Sequence, residues 1–264
     1  PAALIPHKPN IWTPPPIPPT SDLYHPTDPD NLEMRFEFSL LDHIHISTPL
    51  FHVNRESRAV ANAWAACAQN NLSVHQIPTN HTQTTPVQNQ AMVYARQFNP
   101  HTDILYTTPT NILDLIVGPF DRLDQPDLNG KGARLEFELR YLAISEEVIW
   151  MDPGVVGEVL DMGVMPEVLF VVLGRQPEWV EGGEGVGVQR WWGVQGEGMG
   201  WFGWDGERGV FELRGRKGKG DGNGDGEEGK LYKRLKEVCD GIAKVLTDWR
   251  KRRFEVRLVG AVRR

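Results

Sequence analysis

Chemistry-bearing side chains are densest in Thr48-Pro49-Leu50-Phe51-His52-Val53-Asn54-Arg55-Glu56-Ser57-Arg58, where an imidazole, an amide, a carboxylate and two guanidiniums crowd together. Val60, Ala63, Trp64 and Cys67 follow at helical spacing, which predicts a helix from about 55 to 69 with Asn54 as its N-cap. On that helix Glu56 shares the face of Val60, Ala63 and Cys67, and Arg55 and Arg58 lie off it. A first-turn carboxylate is favoured by the free backbone N–H groups and the helix dipole, and an inward one needs a partner, here Arg35 or Arg96. The expectation is therefore a structural motif of His52, Asn54, Arg55, Glu56, Ser57 and Arg58, with Glu56 clipping the helix to the preceding strand. The competing expectation is an enzyme pairing Glu56 with His52 or His101, which requires a cleft lined by those groups with perturbed pKa values.

Other spacings carry less. His43 and His45 share one face of a strand, but two imidazoles do not make a zinc site, so no metal is expected. Within the Gly-rich region, the run from Asp221 to Gly226 starts like a calcium loop, but Tyr232 stands where a bidentate Glu is needed. Gly224 to Lys230 spaces like a phosphate loop, with Leu231 in place of the magnesium-binding hydroxyl. No cofactor is implied, and no nucleophile elbow is present. Two candidate partner surfaces remain: the aromatic group Trp191, Trp192, Trp201 and Trp204, and the basic run Arg250-Lys251-Arg252-Arg253.

The elements that must position these residues follow from periodicity. Met34, Phe36, Phe38 and Leu40 alternate as a strand does, and 43–46 resumes that alternation. Residues 70–90 read as a loop, 92–98 and 104–106 as strands, and 112–117 as a short helix. From Gly132 strand-like and helical runs alternate: 141–145, 146–150, 155–162 and 168–173. A long amphipathic helix from about 230 to 253 presents Leu231, Leu235, Val238, Ile242, Val245, Leu246 and Trp249, and Phe254, Val256 and Leu258 suggest a closing strand.

The resulting expectation is an α+β fold with a small mixed sheet, β-α alternation in the middle and a long C-terminal helix. Its core should hold Phe36, Phe38, Val60, Trp64, Leu105, Leu142, Ile144, Val168, Phe170, Val172, Leu246 and Trp249. Residues 1–31 carry ten of the twenty prolines and read as a tail or linker. The domain proper is 32–181. Residues 182–229 hold 18 glycines in 48 positions and read as an insertion that folds in part, with Asp205-Gly206 as a hairpin turn. Residues 230–264 pack back on the domain.

Four segments, in order, carry a resemblance. The Thr48 to Val60 stretch resembles the "P-x-L-x-H-V-x-R-E-S-R" motif of the fungal two-EXR domain family. Phe98-Asn99-Pro100-His101-Thr102-Asp103-Ile104-Leu105-Tyr106 is similar to its "F-N-P-x-x-D-x-L-Y" run. Leu139-Arg140-Tyr141-Leu142-Ala143-Ile144 with Trp150 is similar to "I-R-x-L-A-I … W", and Met165-Pro166-Glu167-Val168-Leu169-Phe170-Val171-Val172 to a Pro-led family strand. The F-box-like opening "L-P-x-E-L-R-x-x-I-W" has no counterpart here, because Glu33-Met34-Arg35 sits inside a strand pattern. The resemblance implies a fungal protein of a family with no established enzymatic activity. Together with the absence of a coherent catalytic constellation it favours a non-catalytic protein-interaction module, with an F-box-like adaptor of truncated opening, or the enzyme using Glu56 with His52 or His101, as the alternative.

Charge and composition narrow the classes. A net charge of -7 opposes binding to nucleic acid or anionic membrane, even though residues 230–264 hold twelve Lys or Arg against four Asp or Glu. The longest apolar run is far too short to span a bilayer. Cys67 and Cys239 form no CxxC pair, which suits a reducing compartment and an intracellular protein, cytoplasmic or nuclear.

Overall fold

The structure, a computed structural model, describes residues 2–8, 11–46, 50–65, 72–77, 91–179, 188–196, 198–215, 227–248 and 253–263. The chain opens with β1 (Leu4–Pro6), β2 (Trp12–Thr13), β3 (Leu32–Phe36), β4 (His43–Ile46), α1 (Leu50–Val53) and α2 (Arg55–Ala65). It continues with β5 (Leu72–Ile77), β6 (Ala91–Arg96), β7 (Ile104–Thr107), α3 (Pro109–Leu123), β8 (Ala133–Glu136), β9 (Tyr141–Ser145), α4 (Glu146–Met151), α5 (Val155–Asp161) and β10 (Val168–Leu173). β11 (Val188–Gln189), β12 (Trp192–Gln195), β13 (Trp201–Asp205), β14 (Val210–Arg214), α6 (Glu227–Asp248) and β15 (Glu255–Arg263) complete it.

The expected α+β class holds, with a mixed sheet and a long helix near the C-terminal end. The main sheet has eight strands, ordered β1-β7-β9-β10-β15-β13-β14 with β12 paired to β15. Its first five strands are parallel, and β13 turns antiparallel against β15. Val168 to Val172 at its centre are all buried, as a strand covered on both faces requires. Two smaller sheets, β11-β4-β6-β5 and β2-β3-β8, complete the β structure of the described residues.

Strand order follows chain order from β1 to β15, and the helices between them share one face. Leu105, Leu142, Ile144, Leu169, Val171, Val256 and Leu258 pack there with α3, α4, α5 and α6. Each fully buried aliphatic side chain in such a layer contributes about 1.5–3 kcal/mol. α6 buries Leu235, Val238, Cys239, Ile242 and Leu246, the stripe that its periodicity predicts, and Trp249 lies outside the described residues. Burial pushes the Cys239 thiol pKa up, which leaves it a packed apolar group rather than a nucleophile.

The alternate residues of the same strands point to the second face. Leu4, Ile104, Tyr106, Ala143, Val168, Phe170, Val172 and Val259 form a second core with Trp192. β15 runs past the end of β10 and carries β12, which packs against β1, so the strands half-enclose this core.

The structure corrects three expectations about organisation. Residues 1–31, expected as a tail or linker, are tied into the domain where described: β1 is a wholly buried edge strand on β7, and Ile11, Trp12 and Ile17 are buried. Prolines mark the bends between these short pieces rather than freedom from the domain. Residues 182–229, expected as an insertion that folds in part, are integral to the domain where described, since 188–196 and 198–215 supply β11 to β14. Their hairpin closes where Asp205 predicts, with Asp205 Oδ1 accepting from the N–H groups of Glu207 (3.0 Å) and Arg208 (3.1 Å). Finally, β5 occupies part of the expected 70–90 loop and pairs along β6.

α3 is longer than 112–117 because Thr108 caps it and Pro109 starts it, and because Gly118-Pro119 does not stop it. Gly118 leaves room for an indole: a Cβ there would stand 2.9 Å from Trp12 Cδ1. Gly118→Ala gains about 1 kcal/mol of helix propensity but forces a buried ring to move. We expect a net loss of about 1–2 kcal/mol, read as a lowered Tm, and a raised Tm would contradict the packing of Trp12 under α3.

Candidate functional site

The arginine- and glutamate-rich motif sits on α1 and α2. The Ser57 N–H donates to Asn54 Oδ1 at 2.8 Å, so Asn54 caps α2 as expected. The expected face is wrong. Glu56 is exposed, as are Arg55 and Arg58, and Val60 and Trp64 from the expected core are 61% and 47% exposed. The inward side is instead that of Ala61, which is buried, and of Ser57 one turn before it, which is half-buried. Ala61 packs against Tyr94 and Ile46 of the second sheet, and Tyr94 Oη donates to Asn62 Oδ1 at 2.5 Å. Small side chains let the helix approach that sheet closely, whereas the bulkier Val60 and Trp64 cannot enter there. The His52 side chain, Cys67 and the basic run Arg250, Lys251 and Arg252 lie outside the described residues, and Arg253 is exposed. Glu56→Ala should change stability by less than about 0.5 kcal/mol, and Asn54→Ala should cost about 1 kcal/mol. Equal losses in urea unfolding would restore the inward glutamate.

Neither arginine proposed for Glu56 serves it. Arg35 pairs with Glu33 and, at 2.8 Å, with Glu136. Arg96 holds Asp103 through both guanidinium nitrogens, Nη2 donating to Oδ1 at 2.6 Å and Nη1 to Oδ2. Asp103 is 0% exposed and also accepts from the N–H groups of Ala3 (3.1 Å) and Asn99 (2.9 Å). Its own N–H donates to the Asn99 carbonyl at 2.8 Å. The Asn99 to Asp103 turn is thus closed by one carboxylate, which also ties β1 and β6 to it.

The segments around Arg140 and Glu167 are laced to this turn through backbone bonds. The Arg140 N–H donates to the Pro100 carbonyl at 3.1 Å, and the Glu167 N–H to the Arg140 carbonyl at 2.9 Å. Three segments distant in sequence therefore meet at the starts of β7, β9 and β10. They line a groove of about 310 Å³ at the open end of the second core. Ile104, Tyr141, Phe170, Val194 and Ala2 give it an apolar lining, and His101, Thr102 and Arg140 a polar one. At the opposite end Trp179 lies 5.6 Å from the Tyr106 ring, and Trp192 Nε1–H donates to the Glu178 carbonyl at 3.2 Å. Tyr106, whose phenol pKa burial pushes up, donates there to Gln176 Oε1 at 2.5 Å.

The groove contains His101 but no carboxylate, and so not the acid–base pair that the enzyme expectation needs. Arg140 donates from Nε to Glu167 Oε2 at 2.8 Å and lies 5.3 Å from the centre of the Tyr141 ring, with its side chain 48% exposed. Next to Phe170 across the sheet stands Arg257, and then Trp201 and Arg214. The two guanidiniums lie 5.7 and 5.4 Å from the Trp201 ring centre, a cation–π row on the surface. Of the four tryptophans named as a candidate partner surface, Trp192 and Trp204 are buried, because their strands turn them into the two cores. Trp191 and Trp201 are half-buried, Trp191 beneath Arg96. Sequence reasoning did not find the groove, since its lining comes from strand ends that only the sheet order brings together.

Burial, with the positive charge of Arg190 second, lowers the pKa of His45 on β4. Among the described residues no three His, Cys, Asp or Glu side chains converge as a metal site needs, and no helix is long and apolar enough to cross a membrane. No protein-family model, no curated protein and no solved structure matches this chain.

Proposed function

We propose that this chain is a non-catalytic protein-interaction module of a fungal protein, of the two-EXR kind that its four segments resemble, and that it engages its partner through the groove. One observation carries the reading. A parallel sheet ordinarily has both faces covered, and here the second face is half-enclosed, closed by tryptophans at one end and open at the other. Three family-like segments meet at the open end. The enzyme reading has less support, because Glu56 stands exposed on α2 and the groove of His101 holds no carboxylate.

A second reading, an F-box-like adaptor, is favoured by Leu50, Val53 and Val60, which leave α1 and α2 with an exposed apolar face. Affinity capture from a filamentous fungal lysate separates the two. The groove reading expects a stoichiometric partner held by the native chain and lost from Val194→Glu. A ubiquitin-ligase adaptor held equally by both proteins and lost from Val60→Glu would favour the second reading and overturn the first.

A further inference from the structure

Resting on that reading, we propose that the groove receives an extended acidic peptide, with one apolar side chain on its floor and an adjacent carboxylate on Arg140. The chemistry of the lining selects this occupant. Ile104, Tyr141, Phe170 and Val194 exclude a charged side chain, and the groups of the lining that can carry positive charge are His101 and Arg140. The lining itself carries no carboxylate, and its Arg140 guanidinium, paired through Nε with Glu167 beside the groove, is the group that meets an anion. Among the described residues the Arg140 guanidinium makes one hydrogen bond, from Nε to Glu167, and its four other N–H groups are open to an incoming carboxylate.

Size and shape favour a peptide over a small molecule. A volume of about 310 Å³ lies at the bottom of the range of about 300–1,000 Å³ that enclosed ligand sites span, enough for one or two side chains. The groove also does not end at its wall. Phe170 is in register with Arg257, which adjoins Trp201, so the surface runs on over three strands as an extended chain would.

The test uses fluorescence anisotropy on the full chain, with labelled seven-residue peptides carrying one central Leu or Phe between Glu residues. Matching probes replace the flanking Glu by Lys, or the central residue by Ala, and a labelled decanoate stands for a free amphiphilic acid. The proposal expects saturable binding of the Glu-flanked Leu or Phe peptides. Arg140→Ala, at an exposed position, should weaken it about tenfold, the loss of one charge-assisted hydrogen bond. Val194→Glu should abolish it, and circular dichroism of both variants should stay native. Equal binding of Lys-flanked peptides, or binding unchanged by both substitutions, would overturn the proposal, as would decanoate binding without any peptide binding. If no acidic peptide binds but the lysate partner still requires Val194, the acidic-peptide inference fails and the interaction reading stands.

Discussion

Asp103→Ala should be the most damaging single substitution in the described fold, lowering stability by about 3–5 kcal/mol, the range for breaking a buried ion pair by removing one partner. The carboxylate is fully buried and satisfies Arg96, Ala3 and Asn99 together. Its removal strands a guanidinium whose side chain is only 18% exposed and frees the two amides that hold the turn. For a chain of this size the loss corresponds to a Tm lower by about 10 °C. Amide exchange should accelerate first at Ala3 and along β1, because the bond from Ala3 anchors that strand from a hundred residues away in sequence. Arg96→Met with Asp103→Leu should recover part of the loss, since no uncompensated charge then stays behind. A double variant as unstable as Asp103→Ala would mean that the amide bonds, rather than the ion pair, hold the turn.

The second large effect is a dependence on acid that belongs to His7. His7 follows β1, is 3% exposed, and neither ring nitrogen has a hydrogen-bond partner among the described residues. Its ring lies 5.7 Å from that of Phe36, and its backbone is held by the Tyr106 carbonyl and the Asn111 side chain. Burial pushes its pKa down from the ordinary value of 6.5 to about 4. The unfolded chain therefore takes up the proton first. Stability from this group is full above about pH 6.5 and falls as the pH drops toward about 4, by roughly 3 kcal/mol in all. His7→Phe keeps the volume and the aromatic contact and removes the titration. Urea unfolding between pH 7.5 and 4.5 should show the native chain losing that much more stability than the variant, and parallel curves would contradict a buried neutral imidazole.

These two residues also show where the sequence was legible. β9, β10 and the buried stripe of α6 are legible in the sequence because their burial is continuous or strictly periodic, so local pattern and tertiary environment agree. β1 and Trp12 were misread because their partners, Asp103 and Gly118, lie about a hundred residues away, and the local signal is proline. The face of α2 was misread for a related reason. Hydrophobicity alone favours Val60 and Trp64, but the neighbouring sheet accepts Ala61 against Tyr94, and fit decides. Of the candidate site, three segments were singled out as a resemblance and as strands, but not as one groove. The strand order places their starts side by side, and no spacing within any one segment encodes that order.

Under the proposed function the open end of the second core, rather than the motif helix, meets the partner. The most direct test installs a photo-crosslinking side chain at Val194 or at Val60 and irradiates the full chain in a filamentous fungal lysate. A discrete adduct of defined mass is expected from Val194 and none from Val60. An adduct from Val60 alone, or from neither position, would contradict it.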